Sequence, residues 1–281
     1  MEIIYSDDYD RKVERAIRLL QSIPQDTEIE LSYSGGKDSD VILELAKMAG
    51  IPFRAIYKNT TIDPPGTIKH CKDKGVEIVQ PKQSFFEIVK HNGPPTMWRR
   101  VCCKFLKEYK VLDRAIQGIR RSESVKRAKR YKEPEICRVY SAKEKVKLYL
   151  PILDWTDKDV ERFIKERNIW CHPLYYDEIG RFRVERRLGC MGCPLKSDRG
   201  INDFLKHPKL LKKLISSTQY FLNKSPDCES VRKFGDAYGV TYNNLFCDSY
   251  DEFQTTMSPG LFGEQFNPEK AIKEYFGLCE N

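Results

Sequence analysis

The chain has 281 residues, 40% of them apolar and 32% charged, with a formal net charge of +8 and ten cysteines. That length accommodates one large domain or a main domain with a smaller appendage, and the chain lacks the apolar run of roughly 18 residues that a membrane span requires. The opening Met1-Glu2-Ile3-Ile4-Tyr5-Ser6-Asp7-Asp8 has no basic segment followed by an apolar one, so the expectation is a cytoplasmic protein whose cysteines serve metal or redox chemistry rather than disulfides.

Residues 8–22 carry Val13, Ala16, Ile17, Leu19 and Leu20 among charges, the pattern of an amphipathic helix. Thr27 to Tyr33 alternates as a strand does, a glycine turn follows, and Asp40 to Ala49 is apolar at helical spacing with Gly50 as its C-cap. Pro52–Tyr57 reads as a second strand, Thr67–Lys74 as a helix stopped by Gly75, and Val76–Val79 as a third strand. Strand and helix in alternation predict an α/β fold, a parallel twisted sheet with helices on both faces.

Farther along, Ala115–Ile119 forms a fourth candidate strand and leads into a basic block from Arg120 to Lys132. Such a block suits a polyanion, nucleic acid or a phosphorylated nucleotide, as well as it suits a solvated face. Residues 133–147 are polar and carry no clear period, and Tyr149–Leu153 is short and apolar. Thr156 opens a helix through about Arg167, with Asp157 and Asp159 in the first turn where the helix dipole favours them. Beyond Pro194 the pattern turns Lys/Leu-rich and helical. The expected division is a nucleotide-binding domain over 1–200, which includes the cysteine metal site, and a mostly helical region over 201–281.

The chemistry concentrates in Ser32-Tyr33-Ser34-Gly35-Gly36-Lys37-Asp38-Ser39, set between a predicted strand and a predicted helix. Two glycines allow a tight turn, free amides at a helix start attract phosphate oxygens, and Lys37 can neutralise charge. The spacing is not that of a Walker A loop.

Ser34-Gly35-Gly36-Lys37-Asp38-Ser39 resembles the pyrophosphate loop of the adenine nucleotide alpha-hydrolase superfamily, which includes ATP pyrophosphatases and the adenylylsulfate and phosphoadenylylsulfate (PAPS) reductases. Asn59-Thr60-Thr61-Ile62-Asp63-Pro64-Pro65 is a partial match to a segment that shapes the nucleotide site in reductase-like members. Gly118-Ile119-Arg120-Arg121 resembles their motif for sulfate or phosphate, a task that suits the guanidinium fork. Pro151–Thr156 with Asp159-Val160 resembles a family helix entry, to which no chemistry is assigned. The resemblance covers about residues 25–200. It implies binding of an adenine nucleotide by Ser32, Ser34, Gly35, Gly36, Lys37, Asp38, Ser39, Asp63, Gly118, Arg120 and Arg121, with Lys37 and Asp38 catalytic.

Cys102-Cys103 and Cys190-Met191-Gly192-Cys193 resemble the two halves of the site that holds a four-iron, four-sulfur cluster in adenylylsulfate reductases. Four thiolates also suit tetrahedral Zn²⁺. Neighbouring side chains tend to diverge, so Cys137 or Cys171 could stand in for one of Cys102 and Cys103. Cys279, near the end of the chain, has the position of the reductases' nucleophile but not its flanking motif. His70, His91, His172 and His207 show no metal-ligand spacing.

Three functions follow from the resemblance. The first is an ATP pyrophosphatase using ATP with Mg²⁺ to activate an acceptor for sulfur transfer, as in tRNA thiolation enzymes and the DNA phosphorothioation ATPase. That reading implies a nucleic-acid partner (DNA or tRNA, met by the 120–132 block) and a sulfur-donor protein. The second is a PAPS or adenylylsulfate reductase producing sulfite. The third is a zinc-stabilised nucleic-acid-binding module without catalysis, which the intact loop opposes.

Overall fold

The computed structural model describes residues 8–95, 100–139, 145–197 and 200–224. Helix α1 (Asp8–Gln21) buries Tyr9, Ala16 and Leu20 and is followed by strand β1 (Ile29–Tyr33). Helix α2 (Lys37–Ala49) starts directly out of the glycine turn, three residues before the apolar pattern begins, and stops at Gly50 in the left-handed conformation (φ 67°). Strand β2 (Arg54–Lys58), helix α3 (Thr67–Asp73) and strand β3 (Glu77–Val79) follow as expected. Helix α4 (Phe85–Asn92), N-capped by Ser84, and helix α5 (Val101–Leu106) are short elements that the sequence pattern did not separate from loop.

Strand β4 (Arg114–Gln117), a 3-10 turn at Arg121–Glu123 and helix α6 (Val125–Arg130) come next. The stretch without a clear period holds two strands, β5 (Glu135–Val139) and β6 (Lys145–Tyr149). β5 puts apolar Cys137 and Val139 on its exposed face and Arg138 beside Ile136 on its half-buried one, so its sequence lacks the apolar alternation that marks a strand. Of the apolar run Tyr149–Leu153, only Tyr149 is strand; the rest is turn. Helix α7 (Asp157–Glu166) opens with a full capping box, Thr156 accepting from the Asp159 amide while the Asp159 carboxylate accepts from the Thr156 amide. Helices α8 (Ile201–Lys206) and α9 (Pro208–Asn223) close the described chain.

The six strands form one sheet in the order β3-β2-β1-β4-β6-β5. Every pair is parallel except the edge pair β5–β6, so the α/β expectation holds with one antiparallel addition. From β1 the chain moves outward through β2 to β3, then returns to place β4 on β1's other side. The crevice beyond the carboxyl ends of β1 and β4 is therefore a topological switch point, where open α/β sheets bind ligands. Residues 34–36 and 118 leave those strand ends.

Among the described residues the chain divides into two compact units, one of 8–59, 64–80 and 108–189, the other of 60–63, 81–107 and 190 onward. The first holds the whole sheet, around a core that includes Leu31, Val41, Ile42, Leu45, Ile116 and Trp155. The second is helical, built on Ile62, Phe85, Ile88, Val89, Phe204 and Leu211. These units do not follow a single cut at residue 200, because α4 and α5 share their core with α8 and α9. Among the described residues no helix is long and apolar enough to cross a membrane; most of the expected helical region beyond 224 lies outside the described residues.

Candidate active site

In the sheet-bearing unit the glycine turn makes one wall of a cavity of about 230 Å³. Ser32, Ser34, Gly36, Lys37, Asp38 and Ser39 line it together with Gly118. Gly35 has φ +77°, and a β-carbon there would press to 3.1 Å from Thr67 Cγ2 and 3.2 Å from Leu188 Cδ2. Only glycine suits that place. The hydroxyls knit the turn: Gly36 N–H donates to Ser34 Oγ at 3.4 Å, Ser34 to Ser39 Oγ at 3.3 Å, and Ser39 to the Gly36 carbonyl at 2.7 Å. At Gly118 a β-carbon would lie 2.9 Å from the Asp38 carbonyl oxygen, so this glycine lets β4 approach the first turn of α2. That turn directs backbone amides, and the positive end of a thirteen-residue helix, toward the cavity.

Charge around the cavity is arranged in pairs. Lys37 is buried, with Nζ 3.3 Å from the Arg186 carbonyl, 3.7 Å from Asp38 and 5.3 Å above the Tyr175 ring. Burial pulls its pKa below the ordinary lysine value, partly offset by the nearby Asp38 carboxylate. Such an ammonium gains from an anionic ligand that replaces its lost hydration. Tyr175, Leu188, Glu123, Arg127 and Arg187 complete the lining: Glu123 is paired with Arg127, and Arg187 lies 3.1 Å from it. Beneath the loop, buried Asp40 accepts from the Tyr33 hydroxyl and meets His70 Nε2 at 3.1 Å, anchoring α2 to α3.

The helical unit has a second, much tighter cavity of about 30 Å³, room for about one water. Cys102, Cys103, Cys190 and Cys193 all line it, with Thr60 and Lys107. Adjacent Cys102 and Cys103 do not diverge here, because on the helical turn of α5 both reach the cavity. The hydrogen bond between the adjacent thiols lowers the Cys103 pKa and drives that of Cys102 up. Burial raises Cys190 to about 11 despite the Lys107 ammonium hydrogen-bonded to it. Burial also opposes the charge on Lys107, yet Cys190 and Asp63 outweigh it and raise that pKa. Gly192 donates its N–H to Asp203 at 2.7 Å, and Gly200 (φ +82°) packs so closely that a β-carbon would fall 2.6 Å from Gly192 Cα.

The donor set has the softness that zinc or iron–sulfur chemistry requires. Yet among the described residues no three His, Cys, Asp or Glu side chains are disposed to hold one metal ion. The sulfurs spend their contacts on each other, on Lys107 and on Thr60, 3.7 Å from Cys190. A single ion is close to the cavity's size, whereas a four-iron cluster requires α5 and the 190–193 turn to separate.

The expected loop residues converge, but several other candidates stand elsewhere. Arg120, 2% exposed, does not line the phosphate cavity; it donates to Asp38 at 2.7 Å, Asp157 at 2.8 Å and Ser122 at 3.1 Å. Its task in this state is to fix Asp38. Arg121 donates to the Asp154 carboxylate and the Tyr131 carbonyl, likewise outside the lining. Asp63 belongs to the helical unit, where it accepts from the Thr60 amide at 3.3 Å and acts on Lys107. Cys137 is exposed on β5 and Cys171 is buried beside Asp40, and neither lines the cysteine cavity. Cys279 lies outside the described residues. Conversely Glu123, Arg127, Tyr175 and Arg187 line the phosphate cavity without having been singled out. Glu123 and Arg127 carried a faint signal, an opposite-charge pair at helical i, i+4 spacing inside the basic block.

Residues 28–196 match the family model described as the phosphoadenosine phosphosulfate reductase domain. The chain belongs to that family. An uncharacterised protein of Methanocaldococcus jannaschii is 30% identical, over 69% of this chain and 48% of that one. Sulfate adenylyltransferase subunit 2 of Bacteroides thetaiotaomicron is 28% identical, over 51% of this chain and 59% of that one. The chain thus spans about half the length of the curated relatives it matches. The solved PAPS reductase of Candida auris, a phosphate complex, aligns with a TM-score of 0.42 at 17% identity, covering 64% of this chain and 97% of that one. The ammonia-dependent NAD synthetase of Campylobacter jejuni gives 0.40 at 17% identity, covering 78% and 96%.

Proposed function

We propose that this member of the PAPS reductase family binds ATP with Mg²⁺ in the switch-point cavity and cleaves it to AMP and pyrophosphate, activating an acceptor for sulfur transfer. The observation that carries the reading is the cavity itself: a glycine turn, a helix start, Lys37, Arg127 and Arg187 around one space suited to a polyphosphate. An acceptor oxygen would attack the α-phosphorus, the bond to the β-phosphate would break, and pyrophosphate would leave on the loop. Sulfur would then displace AMP from the adenylated acceptor. Lys37 and the arginines would steady the growing charge on the departing pyrophosphate, with Mg²⁺ sharing it. Asp38, held by Arg120, would orient the first turn of α2. The name of the Bacteroides relative, an adenylyltransferase, supports α-phosphorus chemistry. Nucleic acid is the acceptor we favour, with a sulfur-donor protein supplying the sulfur.

Cys102, Cys103, Cys190 and Cys193 would hold a metal group. An iron–sulfur cluster follows from the family resemblance, and Zn²⁺ is favoured by the cavity's small volume. Either would tie α5 to the 190–193 turn through thiolate bonds, and the cluster would in addition carry electrons. The second functional reading, reduction of a sulfonucleotide to sulfite, is favoured by the gathering of four thiols on one cavity.

Thermal stabilisation of the anaerobically purified protein separates the two. A ligand at a hundredfold excess over its Kd stabilises the native state by about 2.7 kcal/mol. ATP with Mg²⁺ is expected to raise Tm, and adenylylsulfate and phosphoadenylylsulfate to leave it unchanged. A clear rise with a sulfonucleotide alone would replace the ATP reading with the reductase.

A further inference from the structure

We propose that Trp170 is a stacking platform for an unpaired base of a single-stranded nucleic acid, set at the outer end of a ladder of rings that leads to the phosphate loop. The proposal rests on the nucleic-acid acceptor of the reading above and gives that acceptor a docking point.

Trp170 is 60% exposed, unusual for a side chain that is mostly buried in folded proteins. One face of its indole is covered: the Tyr176 ring stacks on it with centroids 4.4 Å apart and planes 15° from parallel. The exposed area therefore lies on the opposite face and the edges, leaving a flat apolar surface open to a second planar ring.

That surface is held in place. The Tyr176 hydroxyl accepts from the Cys171 amide at 3.2 Å, and Tyr176 bridges Phe182 in a short antiparallel pairing. Asp177 ties the intervening turn by accepting from the Arg181 amide at 2.8 Å and the Ile179 amide at 3.2 Å. A pre-ordered ring costs little further entropy on binding.

The ladder then runs inward. Phe182 meets Tyr176 at 5.8 Å and Tyr175 at 5.9 Å, and the Tyr175 ring lies 5.3 Å beneath Lys37 Nζ. Tyr175 lines the phosphate cavity, and its hydroxyl accepts from the Leu188 amide at 3.2 Å, next to Arg187 in the same wall. One segment thus carries a solvent-facing ring at one end and two walls of the nucleotide cavity at the other.

Arginines on the segment offer a polyanion its contacts, although Glu178 and Glu185 are exposed there too. Arg181 and Arg186 are exposed on this segment, and Arg186 is braced by the carbonyls of Leu174 (3.3 Å) and Tyr176 (2.7 Å). Duplex bases are already stacked on their neighbours, so a lone ring platform selects unpaired bases. Exposed Leu174 and Ile179 make a protein face the competing occupant, which the test below decides.

The test measures binding of the full chain to fluorescein-labelled oligothymidylate, oligouridylate and a mixed-sequence duplex, for wild type, Trp170→Ala and Trp170→Phe. Expected is about a tenfold loss of single-strand affinity for Trp170→Ala, near-retention for Trp170→Phe and no change for the duplex. The DNA and RNA arms tell which acceptor is preferred, and either preference upholds the platform. Single-strand binding that is absent in wild type, or equal in Trp170→Ala, overturns it. So does an equal loss for the duplex, which would make the surface merely charged. Self-association lost in Trp170→Ala with oligonucleotide affinity intact would overturn it in favour of a protein face. The ATP-induced rise in Tm is read on the same samples: a rise without Trp170-dependent binding sinks only the platform. Trp170-dependent binding without a rise upholds the platform and sinks the ATP reading.

Discussion

The two cavities answer opposite physical problems. In the sheet-bearing unit a roomy, polar cavity is lined by charges that are already paired: Lys37 with Asp38, and Arg127 and Arg187 with Glu123. In the helical unit a cavity of about one water's volume is lined by four thiols, with Lys107 as their nearby cation. On the proposed reading, an external polyanion would take the place of the internal carboxylates in the first. The second gathers four half-buried thiols around a small, mostly apolar space with one cation beside them. Both depend on glycines that admit close backbone approach, Gly118 against Asp38 in one and Gly200 against Gly192 in the other.

The glycines offer the largest way to break the comparison. Gly200→Ala combines an unfavourable left-handed φ with a β-carbon 2.6 Å from Gly192 Cα, and no flexible side chain can yield to it. A loss of about 3 kcal/mol is expected, along with loss of metal loading. Metal analysis and thermal melts check this, and ATP affinity of the folded fraction should be unchanged. Gly118→Ala should do the reverse, sparing metal loading and weakening ATP binding. If both variants lower both ligands alike, the cavities are not independent sites.

Next in size is charge removal. Arg127→Ala combined with Arg187→Ala is expected to weaken ATP binding about a hundredfold, since a charged hydrogen bond is worth about 1.5–3 kcal/mol. Cys190→Ser with Cys193→Ser should leave ATP affinity within about threefold and abolish metal loading, because hydroxyls replace thiolate donors. Calorimetric titration of both variants reads the contrast, and an ATP affinity untouched by the arginine changes would move the phosphates elsewhere.

Glu123→Gln sharpens the same point with a smaller effect. The carboxylate competes with phosphate for both arginines, so its neutralisation should tighten ATP binding by about 1 kcal/mol. Weaker binding in this variant would instead make Glu123 the residue that positions the arginines.

Strands β1 to β4 and the loop were legible in the sequence because their signals are local, whereas β5 and β6 were not. Leu31 to Tyr33, the glycine pair and the apolar face of α2 carry their period and turn chemistry within twenty residues. The helical unit was not legible as such, because its core joins Ile62 and Phe85 to Phe204 and Leu211 across the sheet-bearing segments. The arginine motif shows a different limit. Arg120 had the right chemistry for phosphate, but Asp38 and Asp157 claim its guanidinium, while Arg127 inside an undifferentiated basic block reaches the cavity. Pairing between distant side chains decides which cation faces a ligand, and no local pattern records it. The resemblance puts adjacent Cys102 and Cys103 on one site, and the helical turn over 101–106 gives the reason that both reach it.

The smallest contrast concerns acid. His172, 1% exposed in the sheet-bearing unit, accepts from the Leu174 amide through Nδ1 at 3.2 Å, so its Nε2 carries the proton, 3.4 Å from Thr67 Oγ1. Burial, then the neighbouring His70, lowers its pKa below the usual value of 6.5. A histidine whose folded pKa is depressed takes up its proton more readily in the unfolded chain. Its contribution to stability is therefore intact above about pH 6.5 and declines as pH falls below that, at about 1.4 kcal/mol for each unit of depression. Wild-type Tm should fall between about pH 7.5 and pH 5.5 more steeply than that of His172→Gln, which keeps a polar side chain but cannot titrate. Equal slopes would mean that the acid sensitivity of the sheet-bearing unit lies in its carboxylates, such as Asp159, whose pKa is lowered, against the opposing effect of burial, by the Thr156 amide and Lys12.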